Sequence, residues 1–334
     1  MSIMLNSSSF SERLTAAREL SWRHHGKRIT FCLPGMFRLD GTTGRYPALS
    51  ITGGECAIGC DHCEGKILDS MIFAESAKIL VSQCRQLAAK GNYGVLISGG
   101  CNGEGRLPWD RFLPAIAKIK NETALFISVH SGLVDDQEAF GLKEAGVDQV
   151  LIDVIGDDET LKTVYHLPFG VERIEASMTA LQHAGLPMVP HIVCGIHYGG
   201  MRGEKNAVTM ISRFDVQQVA IVSLMPLQGT RMEKICPPAP EAVVDIIAEV
   251  RFAMPQVPVS LGCARQRGNR RIEEMAIEAG VNRLALPSEE AVERAESYGL
   301  DICYQETCCS VSPDRPASHF QQGDASQGFR SCFK

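Results

Sequence analysis

Three cysteines, Cys56, Cys60 and Cys63, stand at C-x3-C-x2-C spacing in the run Gly53-Gly54-Glu55-Cys56-Ala57-Ile58-Gly59-Cys60-Asp61-His62-Cys63. Thiolates this close can converge on one face of a cubane iron–sulfur cluster, for which cysteine is the usual ligand. Three ligands for four irons leave one iron open, and an open coordination position suits catalysis rather than structure. A structural zinc site would need a fourth Cys or His, normally in a second ligand pair. His62 lies between the thiols, poorly placed to serve, and no second pair follows.

A motif like this needs a scaffold, and the chain supplies a regular one. Short apolar runs near residues 48–52, 94–98, 125–130, 149–154, 188–195, 218–224, 257–261 and 282–286 read as parallel strands buried on both faces. Helical patterns alternate with them at 75–89, 110–120, 136–145, 171–184, 204–213, 240–252, 269–279 and 288–298. Eight strand–helix units predict an α/β fold, a closed (β/α)8 TIM-type barrel with its active site in the loops after the strands. No G-x-G-x-x-G turn follows the first strand, which counts against an open doubly wound sheet. The cysteine run follows the first strand, and Ser98-Gly99-Gly100 ends the second. We divide the chain into an N-terminal helix and lead-in (1–46), the barrel (47–300) and a Cys-rich C-terminal segment with a tail (301–334). The helix at 10–24 could plug the barrel bottom, and the polar stretch 310–334 should be poorly ordered.

The chain has 334 residues, 45% apolar and 22% charged, with a net charge of −6. The charge argues against a nucleic-acid or anionic-membrane surface. Residues 1–28 have no signal-peptide core, and no run is long enough to span a membrane. Thirteen cysteines, an odd number, then point to a reducing, cytoplasmic setting with metal or redox chemistry.

The cysteine run, in the loop after the first strand and followed by a Gly-Gly turn one strand later, resembles the radical S-adenosylmethionine (SAM) superfamily. The resemblance implies a [4Fe-4S] cluster on Cys56, Cys60 and Cys63 whose open iron binds SAM and cleaves it to a 5′-deoxyadenosyl radical. It places His62 against the adenine, and Ser98, Gly99 and Gly100 at the SAM ammonium, where Cys101 replaces the family's frequent Glu. It implies that Asp153 reaches the ribose, although a carboxylate capping the 156–160 turn is an equal reading. It sets Gly195, in the glycine-rich end of strand five, beside SAM. Met225-Pro226-Leu227-Gln228-Gly229-Thr230 and Leu261-Gly262-Cys263-Ala264-Arg265 resemble loops of the biotin-synthase-like branch, whose Gly-Arg turn faces a second cluster.

Ten cysteines lie outside the motif. Cys84 and Cys194 read as small core residues. Cys303, Cys308 and Cys309 form a C-x4-C-C group that could hold an auxiliary iron–sulfur cluster, with Cys263 or Cys32. Such a cluster implies sulfur insertion, and from Arg45-Tyr46-Pro47-Ala48 to Arg265 the chain most resembles one component of the two-protein lipoyl synthase. The C-x4-C-x5-C and Arg-Ser-Ser-Tyr signatures of the single-chain enzyme are absent. The resemblance implies an octanoyl chain on a carrier protein as substrate, a second radical SAM protein as partner, and ferredoxin or flavodoxin as electron donor. The alternatives are a biotin-synthase-like or other radical SAM enzyme acting on a free small molecule, and a non-enzymatic iron–sulfur carrier.

Overall fold

The computed structural model describes residues 9–311 except 40, 41 and 267. Helix α1 (Phe10–His25) leads into β1 (Arg28–Cys32), a short hairpin of β2 (Arg38–Leu39) and β3 (Thr42–Thr43), then β4 (Ala48–Ser50) and β5 (Ile72–Phe73). Strands and helices alternate from there: α2 (Ala77–Ala89), β6 (Gly94–Ser98), α3 (Leu113–Glu122), β7 (Phe126–His130), α4 (Asp136–Glu144) and β8 (Gln149–Asp153). Two helices, α5 (Asp158–Thr163) and α6 (Glu172–His183), precede β9 (Met188–Cys194). The chain continues through α7 (Glu204–Ile211), β10 (Val219–Ser223), α8 (Pro240–Ala253), β11 (Val259–Leu261), α9 (Arg270–Glu278), β12 (Arg283–Ala285), α10 (Glu289–Ser297) and β13 (Asp301–Gln305).

The eight expected strands are present as β4, β6, β7, β8, β9, β10, β11 and β12, side by side in chain order and parallel throughout. They form a curled sheet rather than a ring closed by β4 on β12. β1 pairs with β12, β13 pairs with β1, and β5 pairs with β4, so the sheet runs to eleven strands, ending in β13 and β5. It therefore crosses the expected limits at 47 and 300. A backbone bond from Arg45 N–H to the Glu306 carbonyl (2.7 Å) ties the strand leading into β4 to the segment that follows β13, and one from Gly35 N–H to the Tyr46 carbonyl (3.2 Å) ties it to the chain leaving β1.

Local chemistry explains the element limits. Ser9 with Glu12, and Asp135 with Glu138, form reciprocal capping boxes that start α1 and α4. Fully buried strands such as β10 (Val-Ala-Ile-Val-Ser) need both faces covered, which the outer helices and the barrel interior provide. Asp157, not Asp153, caps the turn after β8: its carboxylate accepts from Thr160 N–H at 2.8 Å, leaving Asp153 to face inward.

The expected plug is a different piece of chain. α1 packs outside, on α8 and α9, where the Ser21 hydroxyl donates to the Gly280 carbonyl at 2.6 Å. Residues 307–311 fill the interior instead. Gln149 donates to the Ser310 carbonyl (2.7 Å), Gln218 to the Cys309 carbonyl (2.8 Å), and Arg283 to the Cys309 (2.9 Å) and Val311 carbonyls. Ser310 and Val311, expected in a poorly ordered tail, are buried; the rest of that tail lies outside the described residues. Their order comes from inward polar side chains that satisfy the segment's main chain, which a buried backbone requires. Among the described residues, no helix is long and apolar enough to cross a membrane.

Candidate functional site

The cysteine loop runs from the end of β4 across the mouth of the barrel. Cys60 and Cys63 are buried and Cys56 is half-buried. Cys60 and Cys63 share a hydrogen bond, which raises the Cys60 thiol and holds Cys63 down at about 4. The Gly-Gly turn after β6 is shaped by this loop. A Cβ at Gly100 would strike the Glu55 carbonyl and lie 2.6 Å from Cys56 Cβ, so only glycine fits. The Gly100 N–H donates to the Thr52 hydroxyl (2.7 Å), and Ala57 N–H to the Cys101 carbonyl (2.8 Å).

Asp61, between two of the cysteines, is the hub that fixes the loop and was not singled out in the sequence. Its buried carboxylate accepts from Tyr198 O–H (2.6 Å), bonds His166 Nε2 (2.7 Å) and pairs with Arg231. Burial works against its charge, but Tyr198, Arg231 and His166 outweigh it and hold the carboxyl below its ordinary value. Lys66 donates to the Gln228 carbonyl at 3.0 Å. Four loops of the barrel mouth therefore converge on one short run of chain.

Below the loop lies a cavity of about 260 Å³. Cys56, Cys60, Cys63, His62, Ser98, Gly99, Gly100, Cys101 and Asp153 all reach its wall. The rest is largely apolar, including Ile58, Leu107, Leu133, Ile155 and Tyr165. His62 lies against Tyr165 with ring centroids 5.3 Å apart, and its Nδ1 is buried without a hydrogen bond. Gly195 does not reach this wall. It turns under Pro238 with φ +73°, and its N–H donates to Glu204 at 2.8 Å.

Deeper in, Asp153 Oδ1 is 3.4 Å from His130 Nε2, with the His191 ring 5.8 Å from that of His130. Burial disfavours charge on Asp153, yet His130, with His191 and His62, holds it at about 2. Burial likewise opposes protonation of His130, but Asp153 raises it overall; burial lowers His191 to about 4.

A second group of thiols lies where β1, β11 and β12 end. Cys32, Cys309, Cys263 and Cys308 pack together around Ala285. Burial pushes Cys32 up to about 11 against the pull of Arg283. A hydrogen bond between the Cys309 and Cys308 thiols lowers Cys308 to about 6 and raises Cys309. Cys303 is not part of this group: it sits on β13, 3.7 Å from an Arg28 nitrogen. The Arg265 guanidinium donates to the Gly262 and Leu286 carbonyls and to Glu273 at 2.6 Å. The sequence offered Cys32 only as an alternative, because nothing local links position 32 to position 309.

Two stretches of the chain match known families: residues 50–207 match the Radical SAM superfamily, and 220–321 the Biotin and Thiamin Synthesis associated domain. Residues 50–207 are therefore a radical SAM domain, and a biotin and thiamin synthesis associated region follows it. Among curated relatives, the biotin synthase of Acaryochloris marina (strain MBIC 11017) is 22% identical over 236 residues, 68% of this chain and 66% of that one. The chain thus spans just under two thirds of that relative's length. The biotin synthase of Bordetella avium (strain 197N) is 26% identical over 244 residues, 70% of this chain and 73% of that one. Methylornithine synthase (PylB) shares the fold with a TM-score of 0.61 at 15% identity, covering 88% of this chain and 89% of that one. HydG, a maturase of the [FeFe]-hydrogenase, aligns with a TM-score of 0.62 at 14% identity over 89% of this chain and 70% of that one. This radical SAM chain is therefore biotin synthase-like in sequence.

Proposed function

We propose that this radical SAM enzyme inserts sulfur into an unactivated carbon of an octanoyl chain on a carrier protein, as one component of a lipoyl synthase. The observation that carries the reading is the pair of cysteine groups in one barrel, with an apolar cavity at the first. The residues fit the cofactors. Cys56, Cys60 and Cys63 face a cavity that also takes in His62 and the Gly99-Gly100 turn. Cys32, Cys263, Cys308 and Cys309 supply four sulfurs beside the Arg283 cation, which favours an anionic thiolate cluster.

Bound at the first site, a [4Fe-4S] cluster and SAM would supply a 5′-deoxyadenosyl radical; a second cluster would supply sulfur. The chain's own residues orient and exclude. Asp61 and its three partners hold the cysteine loop over the cavity. With SAM bound, Gly99 and Gly100 would let the backbone approach its methionine end, His62 and Tyr165 would hold its adenine, and Asp153 would take its ribose. Leu107, Leu133 and Ile155 keep the cavity dry, which protects a radical from quenching. The 307–311 segment holds Cys308 and Cys309 inside the barrel.

The biotin synthase relatives favour a second reading, sulfur insertion into a free small molecule. One assay separates the two. The reconstituted protein is incubated anaerobically with SAM, a reductant and either an octanoylated carrier domain or free small acids. Formation of 5′-deoxyadenosine with a mass gain of sulfur on the carrier supports the lipoyl reading. Sulfur on a free acid alone overturns it in favour of the second. No 5′-deoxyadenosine with any of them overturns both.

A further inference from the structure

Three strands that neighbour one another in the curled sheet each send one metal-ligating side chain to the same point. His130 ends β7, Asp153 ends β8, and His191 lies in β9 directly opposite Asp153 in the strand register. One ligand atom from each lies within 4.8 Å of the other two. The set is two imidazoles and one carboxylate, with no thiolate. Such a set suits divalent transition metals of intermediate softness, iron(II) or zinc; copper(I) wants sulfur, and magnesium or calcium wants oxygen throughout.

The hydrogen bonds around His191 point the same way. Its Nε2 is 3.0 Å from the Ser310 hydroxyl, while its Nδ1 is buried and meets no side-chain partner. Histidines that bind metals commonly have one nitrogen held by such a partner and present the other to the ion. The held side chain is also positioned from outside its strand, because Ser310 belongs to the segment that fills the barrel.

We propose that His130, Asp153 and His191 bind a single divalent ion of the iron(II)–zinc class in the barrel interior, separate from both cysteine groups. Three protein ligands leave coordination positions open. His130 and Asp153 line the main cavity, so the open positions face whatever fills it. The ion would accept an oxygen or nitrogen donor from that occupant, such as an amide carbonyl or a carboxylate. It also gives Asp153 a use besides the ribose of SAM, and the two uses compete. The inference needs only these three side chains and stands whether or not sulfur insertion is the reaction.

The test uses the full chain with its cysteine sites filled by anaerobic iron and sulfide reconstitution. Excess zinc is added and unbound metal removed by gel filtration. Metal content and the zinc K-edge absorption spectrum are then recorded, with and without SAM. The expected result is about one zinc per chain with only nitrogen and oxygen neighbours at about 2.0–2.1 Å. His191→Gln should lose the zinc and keep its iron, and SAM should lower zinc occupancy if Asp153 serves both. Zinc with sulfur neighbours at about 2.3 Å, or no retained zinc, overturns the proposal. So does undiminished zinc in His191→Gln. Iron content shows whether that variant has folded. If it loses iron as well, His130→Gln replaces it, and the wild-type spectrum decides in any case. Iron is counted separately, so failure of the two-cluster reading leaves the zinc result interpretable.

Discussion

The two cysteine groups in this barrel are assembled in opposite ways. Cys56, Cys60 and Cys63 come from a single loop, and their spacing alone nearly fixes their geometry. Cys32, Cys263, Cys308 and Cys309 come from the ends of β1 and β11 and from a segment that doubles back into the barrel. The first group is clamped by neighbouring loops, with Asp61 as the common tie. The second is held by inward polar side chains, chiefly Arg283, Gln218 and Gln149, bonded to the main chain of residues 309–311. A site built from local spacing is readable in a sequence. A site built by topology becomes readable only once the strands are placed.

The contrast predicts which damage each group tolerates. The largest effect is expected at the first. Cys60→Ala should bring 5′-deoxyadenosine formation down to that of protein-free controls. Retention of even a tenth of the wild-type rate would refute the assignment of this loop. Gly100→Ala comes next, because the new methyl would meet the Glu55 carbonyl and Cys56 Cβ. Overpacking of this kind costs about 1–3 kcal/mol. The variant should melt lower and lose iron from the loop site first; an unchanged melt and iron content would show that the turn is not shaped by the loop.

Arg283→Met tests the second group's support. It strands the Cys309 and Val311 carbonyls in the barrel, at about 1–3 kcal/mol for each buried group left without a partner. Chemical denaturation should show that loss, while SAM cleavage persists because the first site is untouched. Equal loss of both functions would mean that the two sites are not independently supported.

The smallest effect concerns pH. Asp153, at about 2, lies below its unfolded value near 3.9, so its share of stability is present above about pH 4 and is lost as pH falls toward 2. His130 is raised above its unfolded value near 6.5, so its share is present below that pH and is lost as pH rises through the folded value. The pair therefore contributes most between about pH 4 and 6.5. In metal-depleted protein, the melting difference between wild type and Asp153→Asn should be widest in that window. A difference that stays constant from pH 4 to 8 would count against the pair.

Much of the fold was legible because the strands are short apolar runs with capped helices between them. β6 matches its expected span, and the other seven of the eight strands differ from theirs by a residue or two at an end. Besides the short β2–β3 hairpin, three strands of the main sheet escaped notice. β13 is a half-exposed edge, and β5 is two residues long; neither has the continuous apolar run that marks a buried strand. β1 carries such a pattern but sits before the first strand–helix unit, where the repeat gave no reason to seek one. At the site, the loop cysteines, His62, Ser98, Gly99, Gly100 and Asp153 were legible and share one cavity. Asp61, His130 and His191 were not, because each takes its meaning from partners on distant strands. Gly195, placed by resemblance, lies outside the lining of this cavity, close to Pro238.

The central claim is that one barrel carries two iron–sulfur sites. Iron and sulfide per chain after anaerobic reconstitution test it most directly, in wild type, in Cys56→Ala/Cys60→Ala/Cys63→Ala and in Cys32→Ser/Cys263→Ser/Cys309→Ser. Two sites predict about eight irons in wild type and about four in each variant. About four in wild type, falling to near zero in the first variant and unchanged in the second, would contradict the second site and the sulfur-insertion reading that depends on it.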